Sequence, residues 1–207
     1  MSLRFGEADT VMHNRKTFLQ RHNMSWEESI CMRCDHGSEI ISVNWDTPVD
    51  THRMADAEVL VTQERNLILM LLTADCLPVA FFDPHTQTLA LAHFSRQTIA
   101  QMLPLQLISQ LMTRFSIDPK NIEVTVGPHI HKSSYTFPLP QPKLPKTIEA
   151  FTEKTGTDVY IDLPAAHNAQ LLDAGVPFEN ISYSHIDTAT DNNYFSHYRS
   201  KTKNAPE

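Results

Sequence analysis

Cys76 lies in the segment Thr73-Ala74-Asp75-Cys76-Leu77-Pro78, between the apolar runs Leu67–Leu72 and Pro78–Phe82. A thiol at a strand end stands where α/β sheets present functional groups. Seventeen residues on, His93 closes the run Thr88–His93. A strand–turn–strand return over that distance brings the two side by side. His36, within Cys34-Asp35-His36-Gly37, precedes another β-rich run and is a third candidate. One thiolate and two imidazoles leave an open position on a tetrahedral zinc, as in a catalytic rather than a structural site. The ordinary reading competes: free cysteine is among the most often buried side chains, and most histidines serve hydrogen bonding rather than a metal. Spacing by itself favours that ordinary reading. A metal-free Cys76–His93 dyad, with the imidazole activating a thiolate nucleophile, uses the same residues.

The elements that must position these residues follow from pattern. Asp9 to His22 reads as a helix and Glu39 to Trp45 as a β-branched strand. Leu67–Leu72, Pro78–Phe82 and Thr88–His93 read as three buried strands at the centre of one sheet, with Asp83-Pro84-His85-Thr86 as a turn. Ile99 to Phe115 has helical spacing, and Pro104 must kink it or delay its start. Ile122 to Val126 is a strand; Pro138 to Pro145, with four prolines, is an extended connection. A short helix over Thr147–Lys154, a strand over Val159–Asp162 and a helix over Pro164–Ala174 stopped by Gly175 follow. Ile181–His185 is a last strand, and the polar tail from Lys201 is expected to fray. The interleaving predicts an α/β (α+β) architecture, a layered mixed sheet flanked by helices, in a single domain over 1–207.

Composition narrows the partners. The 17 basic and 24 acidic residues leave a net charge of −7, which argues against wrapping nucleic acid or lying on an anionic membrane. No apolar run approaches the roughly 20 residues of a membrane span, and the N-terminal residues lack a signal-peptide core. Three cysteines do not suggest a disulfide framework, so the expected location is cytoplasmic with free thiols.

Ordered motifs along the chain resemble the YfiH-type laccase-domain family. They are Asn14-Arg15; Asp35-His36-Gly37; Ala55-Asp56-Ala57 with Val61-Thr62; Thr73 to Val79; Gly127-Pro128 with Ile130 and Tyr135; Asp162 to Ala166; Gln170-Leu171-Leu172 with Ala174-Gly175-Val176; and Phe195-Ser196 with Tyr198-Arg199. The resemblance implies a zinc-dependent purine nucleoside phosphorylase with adenosine deaminase and methylthioadenosine phosphorylase side activities. It implies His36, Cys76 and His93 as metal ligands, with small-molecule nucleoside and phosphate as partners. Copper follows only from the family's older name and fits a single three-ligand site poorly. Where the family reads His-Ala-Gly-Trp-Arg-Gly, this chain has His93-Phe94-Ser95-Arg96-Gln97-Thr98. Gln97 replaces the arginine, and Arg96, one residue away, points to the other face if the segment is strand-like. Those departures favour, as a second reading, a metal-binding homologue without catalysis.

Other residues carry secondary expectations. Asp75 is a candidate to orient a ligating histidine. Arg15 and Arg199 are candidates for phosphate, whose oxygens a guanidinium matches bidentately. His129 and His131 alternate and would face one pocket. Cys31-Met32-Arg33-Cys34 spells C-x-x-C, a weak signal. Haem attachment fails because Asp35 separates Cys34 from His36, and Cys34 reads first as incidental and second as replacing or supplementing a metal ligand.

Overall fold

The computed structural model describes residues 6–138 and 144–203. In chain order the elements are α1 (Ala8–Arg21), β1 (Ser29–Arg33), β2 (Ile40–Ser42), β3 (Met54–Asp56), β4 (Val59–Thr62), β5 (Ile68–Met70), β6 (Leu77–Asp83), β7 (Thr88–Phe94), α2 (Arg96–Ala100) and α3 (Leu103–Phe115). There follow β8 (Glu123–Val126), β9 (Thr136–Pro138), α4 (Lys146–Glu149), β10 (Thr152–Thr155), β11 (Asp158–Ile161), α5 (Leu163–Asp173), β12 (Ile181–Tyr183) and α6 (His197–Lys203).

The β6–β7 hairpin is the spine. Leu77, Val79 and Phe81 alternate with half-buried residues, the period of a strand that packs one face. Asp83 closes the turn by accepting the Thr86 N–H (2.8 Å) and hydroxyl (2.6 Å). The hairpin lies inside a six-stranded mixed sheet of order β12-β8-β6-β7-β4-β2. On one face, Leu103, Leu107, Ile108 and Leu111 of α3 meet Val79, Phe81, Ala90 and Ala92, together with Leu163, Ala166 and Leu171 of α5. Each fully buried Leu or Ile there contributes about 1.5–3 kcal/mol.

The other face meets a second sheet. Strands β3, β1 and β5 are parallel, in that order. Ile30, Met32 and Leu67 pack with Leu60 and Leu91 of the large sheet. Beyond them, Cys31, Met54 and Met70 pack against Leu19 and Trp26 under α1. The layers are therefore helices, large mixed sheet, small parallel sheet and α1. A third sheet, β10-β11-β9, is antiparallel.

The expected layered α/β fold is what forms, with local differences. Leu67–Leu72 was expected beside the hairpin, but only Ile68–Met70 is a strand, and it edges the parallel sheet. Its apolar side chains fit that sandwich equally well, and periodicity does not choose between sheets. Thr152–Lys154 is strand rather than helix, because β10 pairs with β11 around Gly156 at φ +60. Pro104 delays rather than kinks: α2 ends at Ala100, Met102 takes φ +61, and α3 begins at Leu103. Of the expected proline connection, residues 139–143 lie outside the described residues. Of the polar tail expected to fray from Lys201, Lys201–Lys203 belong to α6, and residues 204–207 lie outside the described residues. Among the described residues no helix is long and apolar enough to cross a membrane.

Candidate metal centre

Three parallel strands deliver the site. Cys34 follows β1, Ala57-Glu58 leads from β3 into β4, and 71–76 leads from β5 into β6. Functional groups thus gather at the carboxyl ends of parallel strands, where the chain crosses from one sheet to the other. Register does the rest. Leu77 pairs with Phe94 and Pro78 with His93, so Cys76 stands at the open end of the hairpin beside His93. Val59 pairs with Ala92, and one step further the His93 N–H donates to the Glu58 carbonyl at 2.8 Å.

Glu58 is wholly buried. Its Oε1 accepts the backbone N–H groups of Asp35 (2.8 Å) and His36 (2.6 Å). Its Oε2 stands 2.6 Å from His93 Nδ1. A buried carboxylate is tolerable only with such partners. It fixes the loop that carries Cys34 and His36, and it assigns the Nδ1 proton, leaving Nε2 as the nitrogen available to a metal.

The Cys34 thiol, a Glu58 oxygen and a His93 ring nitrogen lie within 4.8 Å of one another. The Cys76 thiol also reaches the His93 ring. The His36 ring, exposed and on a residue with φ +67, has its centroid 5.3 Å from that of His93. Burial works against charge on His93, yet its hydrogen bonds with Cys34, Cys76 and Glu58 together raise its pKa well above the ordinary range. A pocket that favours a proton on that ring also favours a metal cation in the proton's place. Burial raises the Cys34 thiol, with His93 pulling the other way. Soft sulfur and imidazole donors with a carboxylate behind the histidine suit zinc, and they do not suit magnesium or calcium.

Cys76 and His36 thus stand near His93, whereas the donor atoms within 4.8 Å of one another are those of Cys34, Glu58 and His93. Asp75 is not the carboxylate that orients the histidine; Glu58 is. Asp75, at φ +83, turns toward the C-terminal segment, accepting from the Thr188 hydroxyl (2.7 Å) and the Tyr198 N–H (2.7 Å). Arg15 is buried in the cluster beneath α1, with its guanidinium 3.1 Å from the Met54 sulfur and 5.9 Å from the Trp26 ring centroid. Arg199 donates to the carbonyls of Thr188 (2.7 Å), Asp191 (3.1 Å) and Tyr194 (2.5 Å), clamping the loop before α6. His129 is buried, its Nδ1 donating to the Gly127 carbonyl at 2.8 Å, with the His131 ring 5.0 Å away. Burial depresses its pKa.

The segment after His93 is not strand-like. Ser95 caps α2 in a capping box with Thr98, so the alternation argument against Arg96 does not apply. Arg96 sits 5.1 Å from the Phe137 ring centroid, and its charge acts on Tyr135, which also feels Cys76 and Asp75. The C-x-x-C is no pair: Cys31 faces α1, whereas Cys34 packs on the opposite side of β1.

Glu58 was missed in the sequence. Its one signal is an acid directly before the apolar run Val59-Leu60-Val61. Such a carboxylate at a buried strand start needs a partner.

Known proteins share the sequence pattern and the fold. A purine nucleoside phosphorylase, YlmD, of Geobacillus stearothermophilus is 30% identical over 97% of this chain and 78% of its own length. A purine nucleoside phosphorylase of Streptomyces coelicolor, SCO2081, is 29% identical over 95% of this chain and 80% of its own. The crystal structure of YlmD from Geobacillus stearothermophilus superposes with a TM-score of 0.85 at 27% identity, over 97% of this chain and 79% of that one. YfiH of Bacillus licheniformis shares the fold at a TM-score of 0.79 and 23% identity, over 93% and 77% of the two chains. The family described as multi-copper polyphenol oxidoreductase laccase, which holds the YfiH-type proteins, matches residues 3–204, and this chain belongs to it.

Proposed function

We propose that this chain is a zinc-dependent enzyme of purine nucleosides, acting by phosphorolysis of adenosine, inosine or methylthioadenosine and by deamination of adenosine. The observation that carries the reading is His93: Glu58 holds one nitrogen, and cysteine thiols lie against the ring, in a chain 30% identical to a purine nucleoside phosphorylase over 97% of its length. His36, Cys76 and His93 would hold the metal, and bound zinc supplies a positive charge that polarises an oxygen or nitrogen of the substrate. Copper suits this donor set less well as a catalytic ion, since one small site is not a multinuclear cluster.

The protein's own groups then have separable tasks. Glu58 keeps the Nδ1 proton and the ring orientation of His93. Asp75 holds Thr188 and Tyr198, and through them the segment that Arg199 clamps; its role is positioning. Arg96 takes the place of the lost family arginine as counter-charge for phosphate. Arg15 and Arg199 would have to exchange their present contacts to do so. His129, depressed by burial, is suited to accept a hydrogen bond from the nucleoside as a neutral ring. The reading takes residues 1–207 as one catalytic unit.

Pure protein incubated with inosine or adenosine, with and without phosphate, tests this. Phosphate-dependent release of free base, abolished by chelation and restored by zinc, is expected. Turnover that survives chelation, with alkylation of Cys76 as the inactivating event, would move the assignment to a Cys76–His93 hydrolase. Full zinc occupancy without turnover would favour a metal-binding homologue that has lost catalysis, a reading that Gln97 at the family's arginine position favours.

A further inference from the structure

We propose that Cys34 is a metal-coordinating thiol, so that the centre offers two sulfur donors rather than the single one that Cys76 would give. The inference rests on the metal-centre reading above and goes beyond it. Cys34 is partly buried at the carboxyl end of β1. Its sulfur belongs to the triplet with Glu58 and His93 within 4.8 Å. Of those three groups, the carboxylate is already engaged: Oε1 takes two backbone N–H groups and Oε2 takes His93 Nδ1. The donors left in the triplet are the Cys34 sulfur and the second nitrogen of His93. The Cys76 thiol also hydrogen-bonds with His93, so a second sulfur stands by the same imidazole.

The backbone following Cys34 is held in place. Asp35 and His36, the next two residues, are tied to Glu58, and the Asp35 carboxylate accepts the Gly37 N–H at 2.9 Å. Cys31 is excluded, since it lies on the other face of the strand with Met54 and Trp26. With the imidazole of His36, two thiols and two imidazoles would supply the four donors that zinc takes in a closed site. Such a shell binds zinc more tightly than three donors do, and substrate gains access only when one donor withdraws. Sulfur donors also set the preference for zinc over harder divalent ions.

The test uses the full chain, stripped of metal and then reloaded with zinc alone. N-ethylmaleimide labelling is followed cysteine by cysteine by mass spectrometry, with and without one equivalent of zinc. Protection of both Cys34 and Cys76 by about tenfold or more is expected, while Cys31 labels slowly in both states because it is buried. Protection of Cys76 with unchanged labelling of Cys34 would overturn the Cys34 assignment and leave the metal centre standing. Absence of any zinc retention would overturn both. As a second measurement, cobalt is substituted for zinc in wild type and in Cys34→Ser. Loss of about half the sulfur-to-cobalt charge-transfer intensity is expected for one thiolate of two; equal spectra overturn the proposal. Because the labelling is done on wild type, misfolding of the variant does not rescue it.

Discussion

Two histidine-rich regions of this molecule behave in opposite ways. Around His93 stand a buried carboxylate and two thiols, and the imidazole holds a proton well above the usual range. The direct hydrogen-bond partners of His129 and His167 are neutral: the Gly127 carbonyl for one, with Asp187 and Asp162 acting on it through charge alone, and the Tyr183 hydroxyl at 2.8 Å for the other. Burial depresses both of those rings, His167 to about 3. Burial is common to all three histidines, so burial does not distinguish a cation site from a packed ring. The difference is the hydrogen-bonding set around His93: the Cys34 and Cys76 thiols together with Glu58, which the β4–β7 register delivers. Histidine clusters mark a metal centre when an acid stands behind the ring, and core packing when a neutral oxygen does.

The largest effect should come from removing a donor at the first region. Cys76→Ala is expected to lose stoichiometric zinc and to lower nucleoside turnover by more than about 100-fold, exceeding what partners behind a ligand contribute. Metal analysis and a base-release assay on the same sample check this; full activity in metal-free Cys76→Ala would sink the metal reading. Next is Glu58→Gln, which keeps shape but removes the carboxylate bonded to His93 Nδ1. Zinc affinity should fall by about 10–100-fold, read by competition with a chromophoric chelator. Unaltered affinity would mean that Glu58 serves only the loop carrying Cys34 and His36.

The second region is broken by acid. His167 is fully buried, and its Nε2 has no hydrogen-bond partner among the described residues. Its Nδ1–H donating to Tyr183, whose hydroxyl reaches the Pro164 carbonyl at 3.3 Å, is the neutral arrangement that fits. The folded pKa of about 3 lies below the ordinary histidine value of 6.5, so the unfolded chain takes up the proton first. Stability is full above about pH 6.5 and falls toward pH 3, by at most about 1.4 kcal/mol per pH unit. Between pH 6.5 and 5 the cost is about 2 kcal/mol. Urea unfolding of wild type and His167→Gln at pH 7 and pH 5 measures it. The variant should show a shallower loss; equal slopes would show that other groups carry the acid sensitivity.

How much of this was legible in the sequence depends on the range of the contact. The hairpin was legible, because its turn residues and apolar alternation are local, and with it the meeting of Cys76 and His93. So were the stop of α5 at Gly175, which has φ +91, and the effect of Pro104. The parallel sheet was not. Its strands β3 and β5 are three residues long, and their partners lie far along the chain. Glu58 was missed for the same reason, since its place depends on which strand pairs with β7. Asp75 and Arg199 were singled out as chemical groups and turned out to hold one C-terminal segment. A charged residue's type does not say whether its partner is a ligand or a backbone carbonyl. Arg96 was read as facing away because the segment after His93 looked extended, whereas Ser95 begins a helix there.

The smallest expected effect sharpens the contrast at its finest scale, within β1 itself. Cys31 and Cys34 are three residues apart, and a strand of period two sends them to opposite faces. Burial first, and little else, raises the Cys31 thiol to about 11, so it stays a protonated core group packed with Met54 and Met70. Cys31→Ala removes one sulfur from that cluster and should cost about 1 kcal/mol of stability. It should leave zinc stoichiometry and affinity as in wild type, whereas Cys34→Ser weakens zinc binding by at least about tenfold. A zinc affinity that falls for Cys31→Ala without a matching loss of stability would mean that α1 and β1 transmit strain to the metal centre. Division of the two cysteines between core and site by strand alternation alone would then be wrong.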